Sequence, residues 1–470
     1  MSTDAPGSHR PKTIFWLLAA FIVTPILFLL VWWSVQNRAV GTIQAGIASK
    51  HEPLTAAELA AKYPPIPDEQ NAAIALLDVW EREQGEYWAQ FRRGEKPTAS
   101  RPSETAGLAQ EVTASLLATL HPGSSLDPVV LAAGDSQIEQ LRPHLDAVHT
   151  TLSREQGQFP LRFADGPNML LPHLSQLKRE AIQFQIQALL ASEHGDPTTA
   201  IRALADGAKV GGLLKTEPFL ISQLVRLSVT RTELNSLERL LSKQALSPPQ
   251  LQELQEILRH IDLNGDLRQA LIGERVLVFE QLNSENPLQA LDLSSDSAAG
   301  QWGVRIMSAT GILASDRRLL LSTFTKAITL LEHESPTTFA EFDRLVDEAA
   351  AAARRFPPKI FSRMLLPAFS KVAIRFGSAE ASLRAARTAV AVELFRSARG
   401  GKLPDKLEEL ENFAVPIDPF DGRPLRFQRQ PTGYVIYSVG PNQVDDGGAG
   451  VTGTGSSSRA ALDEVFTVER

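Results

Sequence analysis

The sequence predicts a mainly α-helical protein with an N-terminal transmembrane helix, a long helical ectodomain and a small C-terminal α+β module with one antiparallel hairpin. Three observations carry that prediction. Residues 13–37 hold no charged side chain, and 14–33 are almost wholly apolar. The middle of the chain repeats apolar residues at helical spacing between recognisable caps. Only residues 418–448 combine strand-like alternation with a dense run of turn formers.

The chain divides into a cytoplasmic tail (1–13), the span (14–36), juxtamembrane helices with a linker (37–107), the helical domain (108–380), the C-terminal helix and hairpin (381–450) and a tail (451–470). Its 470 residues, 43% hydrophobic and 21% charged, suffice for a sizeable core. A net charge of −7 argues against a nucleic-acid binder working through bulk electrostatics. The absence of cysteine excludes disulfides, thiolate metal sites and a cysteine nucleophile, and leaves the redox compartment open.

Twenty apolar residues at a helical rise cover about 30 Å, the hydrocarbon thickness of a bilayer. Trp16 at one end and Trp32 and Trp33 at the other suit the two interfaces, and Pro25 is tolerated mid-span. A cleaved signal peptide fits less well: its apolar core runs to about 7–15 residues and a small-x-small site follows at once. Arg10 and Lys12 precede the span while Arg38 follows it, which orients the N-terminus to the cytoplasm and the bulk outside the inner membrane.

Past the span, Thr55 and Glu58 form a capping box with a Leu54/Leu59 staple. A helix is expected over 71–92, then a linker at 94–105. Residues 174–241 are the best patterned. Gly195, Asp196 and Pro197 supply a C-cap, an N-cap and a first-turn proline, so one helix ends and the next begins there. The resulting pair, 181–192 and 199–213, resembles a tetratricopeptide hairpin, but no second strong copy follows at the expected period, so the body reads as irregular or tetratricopeptide-like. Further helices are expected at 220–241, after Ser247, and at 317–331, 336–355 and 368–398, with a loop at 283–315. The stretch 354–363 is basic with two phenylalanines. It reads either as a contact for an anionic surface, lipid headgroups or a polymer, or as a proline-broken connection whose phenylalanines dock on the core.

Chemical motifs are scarce. The nine histidines are scattered and none forms H-E-x-x-H. His144, Asp146 and His149 read as surface polarity. Gly207, Gly211 and Gly212 lie inside a helical pattern and read as close helix packing. There is no nucleophile elbow, Walker loop or dinucleotide fingerprint, and no catalytic residue is assigned. The 54 acidic residues leave carboxylate pairing open.

The C-terminal order is more specific. Gly400 and Gly401 end a helix, a short helix follows at 403–410, and strands at 425–429 and 434–439 flank the turn Pro431-Thr432-Gly433. Gly401, Leu403-Pro404, Asp418-Pro419-Phe420, Gly422, Pro424, Tyr434, Tyr437-Ser438, Gly440 and Asp445-Asp446-Gly447 follow one another. This combination, about a seventh of the chain, resembles the C-terminal part of the major pseudopilin of type II secretion systems. The resemblance implies a calcium-binding loop with Ser438, Asp445 and Asp446 as ligands beside backbone carbonyls, a set that suits a hard cation. The prepilin signal of that family is missing: Gly7 is followed by Ser-His-Arg-Pro-Lys, and no glutamate lies near the start of the span. As a whole the chain resembles single-pass membrane proteins of a planctomycete type, which join a helical body with a stretch like 217–226 to this same C-terminus.

These readings lead to a membrane-anchored extracytoplasmic structural or interaction protein of the bacterial cell envelope, without evident catalysis. Its partners are membrane lipid through 14–36 and proteins on the helical ectodomain, with no nucleic acid. The alternatives are a divergent type II secretion pseudopilin-like component and an envelope hydrolase with an unrecognised site.

Overall fold

The computed structural model describes residues 10–101, 122–154, 156–284, 305–333, 338–357, 359–410, 413–449 and 463–470, with residues 287 and 335. The extreme N-terminus, the far end of the predicted linker, most of the predicted loop at 283–315 and residues 450–462 of the tail lie outside the described residues. The chain is mainly helical, with one N-terminal apolar helix and a small antiparallel sheet at its C-terminus.

Helix α1 (Arg10–Ser49) is continuous through Pro25, and its segment Val23–Ser49 is long and apolar enough to cross a membrane. Phe21, Val23, the run from Ile26 to Val31, Trp33 and Val35 are exposed. The environment changes at Gln36, which is buried and accepts from Arg318. Val40 and Ile47 are then buried with Phe279 and Leu321. Residue 36 therefore marks where the helix leaves its exposed stretch, not where it ends. Beyond it the helix is fastened by Lys50 to Glu332 (3.2 Å), and Glu52 joins Arg268 and the fully buried Arg275 (2.8 Å).

Helix α2 (Ala56–Ala61) has half of the predicted capping box: Thr55 Oγ1 accepts from the Glu58 N–H, but the Glu58 carboxylate reaches past the Thr55 N–H and accepts from the Leu54 N–H. The two leucines separate. Leu59 packs with Phe163, Phe219 and Val276, while Leu54 joins Val40 and Ile47, so they pin the segment to two clusters instead of stapling it. The predicted helix 71–92 is two, α3 (Ala72–Gln84) and α4 (Glu86–Arg92), broken at Gly85 with φ of 84°. That left-handed conformation suits glycine, and Trp80 and Trp88 close the corner with rings 4.8 Å apart.

The body continues as α5 (Pro128–Thr151), α6 (His173–Glu193), α7 (Pro197–Gly212), α8 (Leu220–Lys243), α9 (Pro248–Arg259) and α10 (Leu263–Asn283). Between α6 and α7 the sequence signals hold: Gly195 has φ of 73°, and Asp196 accepts from the Thr199 N–H. Ser247 and Gln250 form a capping box on α9. Then come α11 (Ile312–Leu330), α12 (Thr338–Ala353) and α13 (Ile360–Ala398). The last starts eight residues before its expected beginning at 368, because Asp316 of α11 accepts from the Phe361 and Ser362 N–H groups at 2.8 and 2.9 Å and caps it from outside. Of the two phenylalanines in 354–363, Phe361 is buried, but Phe356 is 94% exposed, so docking on the core accounts for one of them only.

Strands β1 (Arg426–Arg429) and β2 (Tyr434–Ser438) form the predicted antiparallel hairpin, with Phe427 opposite Ile436. The short segment after Leu403 forms only a 3₁₀ turn, Leu407–Glu409. The expected tail also needs correction: β3 (Glu464–Val468) pairs antiparallel with β2, which becomes the central, fully buried strand. β2 and β3 lie on α13, where the Tyr434 hydroxyl donates to the Ala389 carbonyl and the Glu393 carboxylate. One hydrophobic core runs from Ala72 to Val468, so the sheet is built into the helical body.

Candidate functional site

Two places combine polar chemistry with access. The first is the acidic loop after β2. Its anchor is Asp418, fully buried, whose carboxylate accepts from the Phe420 N–H (2.9 Å), the Ser438 hydroxyl (2.8 Å), the Val439 N–H (2.9 Å) and Arg426 (2.6 Å). This ties the 417–424 turn to the end of β2. Ser438, itself buried, also accepts from the Gly440 N–H.

Asp445 and Asp446 lie farther along, on the loop. Asp445 is half exposed and accepts from the Gly447 N–H; Asp446 accepts from Asn442. Asp463, just before β3, accepts from the N–H groups of Asp446 (3.2 Å) and Gly448 (2.7 Å) and so closes the loop. Burial, then the neighbouring Asp446 and Asp445, push the Asp463 carboxyl up, although the two N–H donors oppose this. The structure thus brings Asp445 and Asp446 together with Asp463, while the Ser438 hydroxyl is directed to Asp418. Among the described residues no group of three or more His, Asp or Glu is arranged to hold a metal ion.

The second place is an open groove of about 370 Å³ lined by His149 of α5, Thr198, Arg202, Asp206 and Lys209 of α7 and Gln250 of α9. The His149 Nδ1 is 2.6 Å from the buried Asp206 carboxylate. Burial raises the pKa of Asp206, and His149 opposes the shift. Behind it on α8, Glu233 is buried with neither carboxylate oxygen hydrogen-bonded. Burial first, and the adjacent Asp206 second, push that carboxyl well above the ordinary range. A Cβ on Gly207 would overlap it and one on Gly211 would press on Val229, so close packing explains these two, whereas a Cβ on Gly212 would meet nothing within 4 Å and packing does not explain that glycine.

Other histidines are fasteners. His144 bridges Glu83 (2.9 Å) and Glu180 (2.7 Å) and is largely buried, which surface polarity does not describe. Burial opposes its charge, but the two carboxylates prevail and carry it up to about 10. His173, fully buried, contacts Glu217 at 2.7 Å and stacks on Phe159 and Phe91. Sequence reading missed these pairs because their partners stand 61, 36 and 44 positions apart in the chain. The one local signal was a carboxylate beside a glycine inside a helix, Asp206-Gly207.

Chemically, the groove offers an imidazole oriented by a buried carboxylate, with mixed charge around it and the buried Glu233 carboxyl behind. The loop offers clustered carboxylates on a braced hairpin. Compared with known proteins, the chain matches no protein-family model, no curated protein and no solved structure.

Proposed function

We propose that this protein is a membrane-anchored structural and interaction component of a bacterial cell envelope, with its helical body and sheet outside the cytoplasm. One observation carries the reading: the exposed apolar half of α1 passes without a break into a half that is packed and ion-paired in the body. Such a helix is both anchor and structural member. The body is best described as an irregular helical bundle. Its sheet, with Asp418-Pro419-Phe420 and Tyr437-Ser438 in place, supports a pseudopilin-like cap, whereas an apolar stretch that carries no glutamate speaks against a fibre subunit. Calcium at Asp445 and Asp446 with loop carbonyls is carried by the resemblance; the third implied ligand, the Ser438 hydroxyl, is engaged by Asp418.

Alkaline carbonate extraction of cell membranes tests the anchor. The chain should stay with the pellet, whereas Leu27→Arg with Leu30→Arg, at about 2.5–3.5 kcal/mol for each buried charge, should release it. Release of the unaltered chain would reject the proposal. N-terminal sequencing of the extracted protein separates it from a processed pseudopilin, which would begin after Gly7 with a methylated residue.

A second reading, an envelope hydrolase, is favoured by the His149–Asp206 pair at the groove, the general-base half of a hydrolytic site. Turnover of ester or peptide surrogates by the detergent-solubilised chain, abolished by His149→Ala with the fold intact, would support it. Equal turnover in that variant would remove it.

A further inference from the structure

The corner between α12 and α13 lies at the same end of the body as the exit of α1 from its exposed apolar stretch. Three sets of contacts place it there. Gly311, the residue before α11, packs against Trp33, where a Cβ would lie 3.0 Å from the Trp33 Cα. One to two turns on, Arg318 donates to Gln36, and at the far end of α11 Thr329 accepts from Lys50. So α11 runs alongside α1, both leading away from the apolar stretch. Asp316, between Gly311 and Arg318, caps the start of α13. α12 returns antiparallel to α13, with Ser370 donating to Asp343 at 2.6 Å and Lys359 reaching the carbonyls of Ala352 and Arg355. α13 runs the same way as α11, since eight residues after the Asp316–Phe361 contact Phe324 meets Phe369 with ring centroids 4.9 Å apart, so residues 354–357 and 359 lie on the apolar side of Asp316, near the level of Trp33.

What this corner displays is unusual for a water-facing surface. Phe356 is 94% exposed, Met364 49% and Ile306, five residues before Gly311, 57%. Arg354, Arg355 and Arg363 are exposed around them, and among the described residues none has a carboxylate partner. The last acids of α12 are Asp347 and Glu348, and the latter pairs with Arg344. The helix then runs through five alanines to Arg354, so the charged residues of 354–364 are all basic. Lys359 is not part of this display, since it turns back onto the corner's own carbonyls. Apolar tips ringed by arginines, level with interfacial tryptophans, match a headgroup layer in both polarity and charge.

We infer that the 354–364 corner is a second membrane contact, which inserts Phe356 among anionic phospholipid headgroups of the bilayer that α1 crosses and so fixes the body against it. The inference rests on the reading of α1 as a span, and it deepens that reading by naming lipid as the partner of a surface outside the span. It also explains why only Phe361 docks on the core: the two phenylalanines face opposite media.

The absence of cysteine gives a clean test. Nitroxides are placed singly through Ile26→Cys, Met364→Cys and Val444→Cys in the full chain, reconstituted in nanodiscs of phosphatidylglycerol with phosphatidylcholine, or of phosphatidylcholine alone. Power saturation with oxygen and a water-soluble nickel chelate reads depth. The label at 26 should lie in the hydrocarbon, the label at 444 in water, and the label at 364 at headgroup depth in the anionic discs. Arg354→Gln with Arg355→Gln should lower the docked-to-undocked ratio about 25-fold, at about fivefold for each basic residue, and Phe356→Ser should return the 364 label toward water. A label at 364 as water-exposed as that at 444, with 26 in lipid, overturns the inference and leaves the span standing. Headgroup depth unchanged by all three substitutions assigns the contact to other residues and overturns it too. A water-exposed label at 26 rejects the span and the inference with it.

Discussion

Asp418→Ala should loosen the C-terminal sheet more than any exposed substitution. The native carboxylate is fully buried and answers the Phe420 and Val439 N–H groups, the Ser438 hydroxyl and the guanidinium of Arg426, itself only 16% exposed. Removing it leaves two N–H donors without partners, at about 1–3 kcal/mol each, and an arginine with one of its anions gone. Ser438 can rotate and Asp421 still holds Arg426, which offsets part of the loss. The net cost is then roughly 3–5 kcal/mol, the range for breaking a buried ion pair from one side. Hydrogen exchange read by mass spectrometry on peptides covering 430–440 measures it in the full chain. A local loss of about 3 kcal/mol speeds exchange through opening roughly 150-fold. Asp418→Asn, which keeps one acceptor, should lie between the parent and alanine. Exchange within about threefold of the parent in the alanine variant would mean that Asp418 does not organise the sheet.

Glu238 of α8 accepts from the Thr467 N–H of β3, and its carboxyl is pushed up to about 8, by burial first and Glu469 further, against the Thr467 hydrogen bond. Since that folded value exceeds the usual 4.5, the contribution is whole below pH 4.5 and is lost as pH rises through about 8. Glu238→Gln should therefore flatten this decline and gain on the order of 3 kcal/mol over the parent at alkaline pH in urea melts; parallel pH profiles for the two proteins would contradict it. A Cβ on Gly273 would collide with the Pro218 carbonyl, whereas one on Gly212 meets nothing within 4 Å. Thermal melts should show Gly273→Ala destabilised by about 1–3 kcal/mol and Gly212→Ala neutral or stabilised by up to about 1; equal effects would show that the Pro218 approach does not matter. Millimolar calcium should raise the melting temperature of the detergent-solubilised chain and lose that effect in Asp445→Ala with Asp446→Ala, through preferential binding to the folded state. An unchanged melt removes calcium from the proposal.

What could be read in the sequence was what is decided locally. The long apolar helix, the Gly195-Asp196-Pro197 boundary, the N-cap at Thr55, the capping box at Ser247 and the 425–439 hairpin each declare themselves within a few residues, because caps, turns and periodicity are short-range physics. The break at Gly85 carried the same kind of signal but was hidden inside a continuous apolar pattern. β3 was missed for another reason. It is five residues long and separated from its partner by more than twenty, so only the exposed edge of β2 defines it. The candidate sites follow this division. Asp445 and Asp446 were legible as a turn-rich acidic loop. Asp463, which closes that loop, and the partnership of His149, Asp206 and Glu233 come from three helices or from opposite ends of the module, and no spacing rule reaches that far.

The 40 residues of α1 form one rod of about 60 Å, part of it exposed and part locked into the protein by Lys50, Glu52 and the Val40–Ile47 face. A rod held in this way has no joint. Whatever sets its angle at the exposed end sets the attitude of everything attached to the other, and a tilt of about 20°, ordinary for a helix in a bilayer, displaces its far end by roughly 20 Å. Under the proposed anchoring, bilayer thickness becomes a mechanical input to the protein, delivered to the body as a change of position rather than of shape.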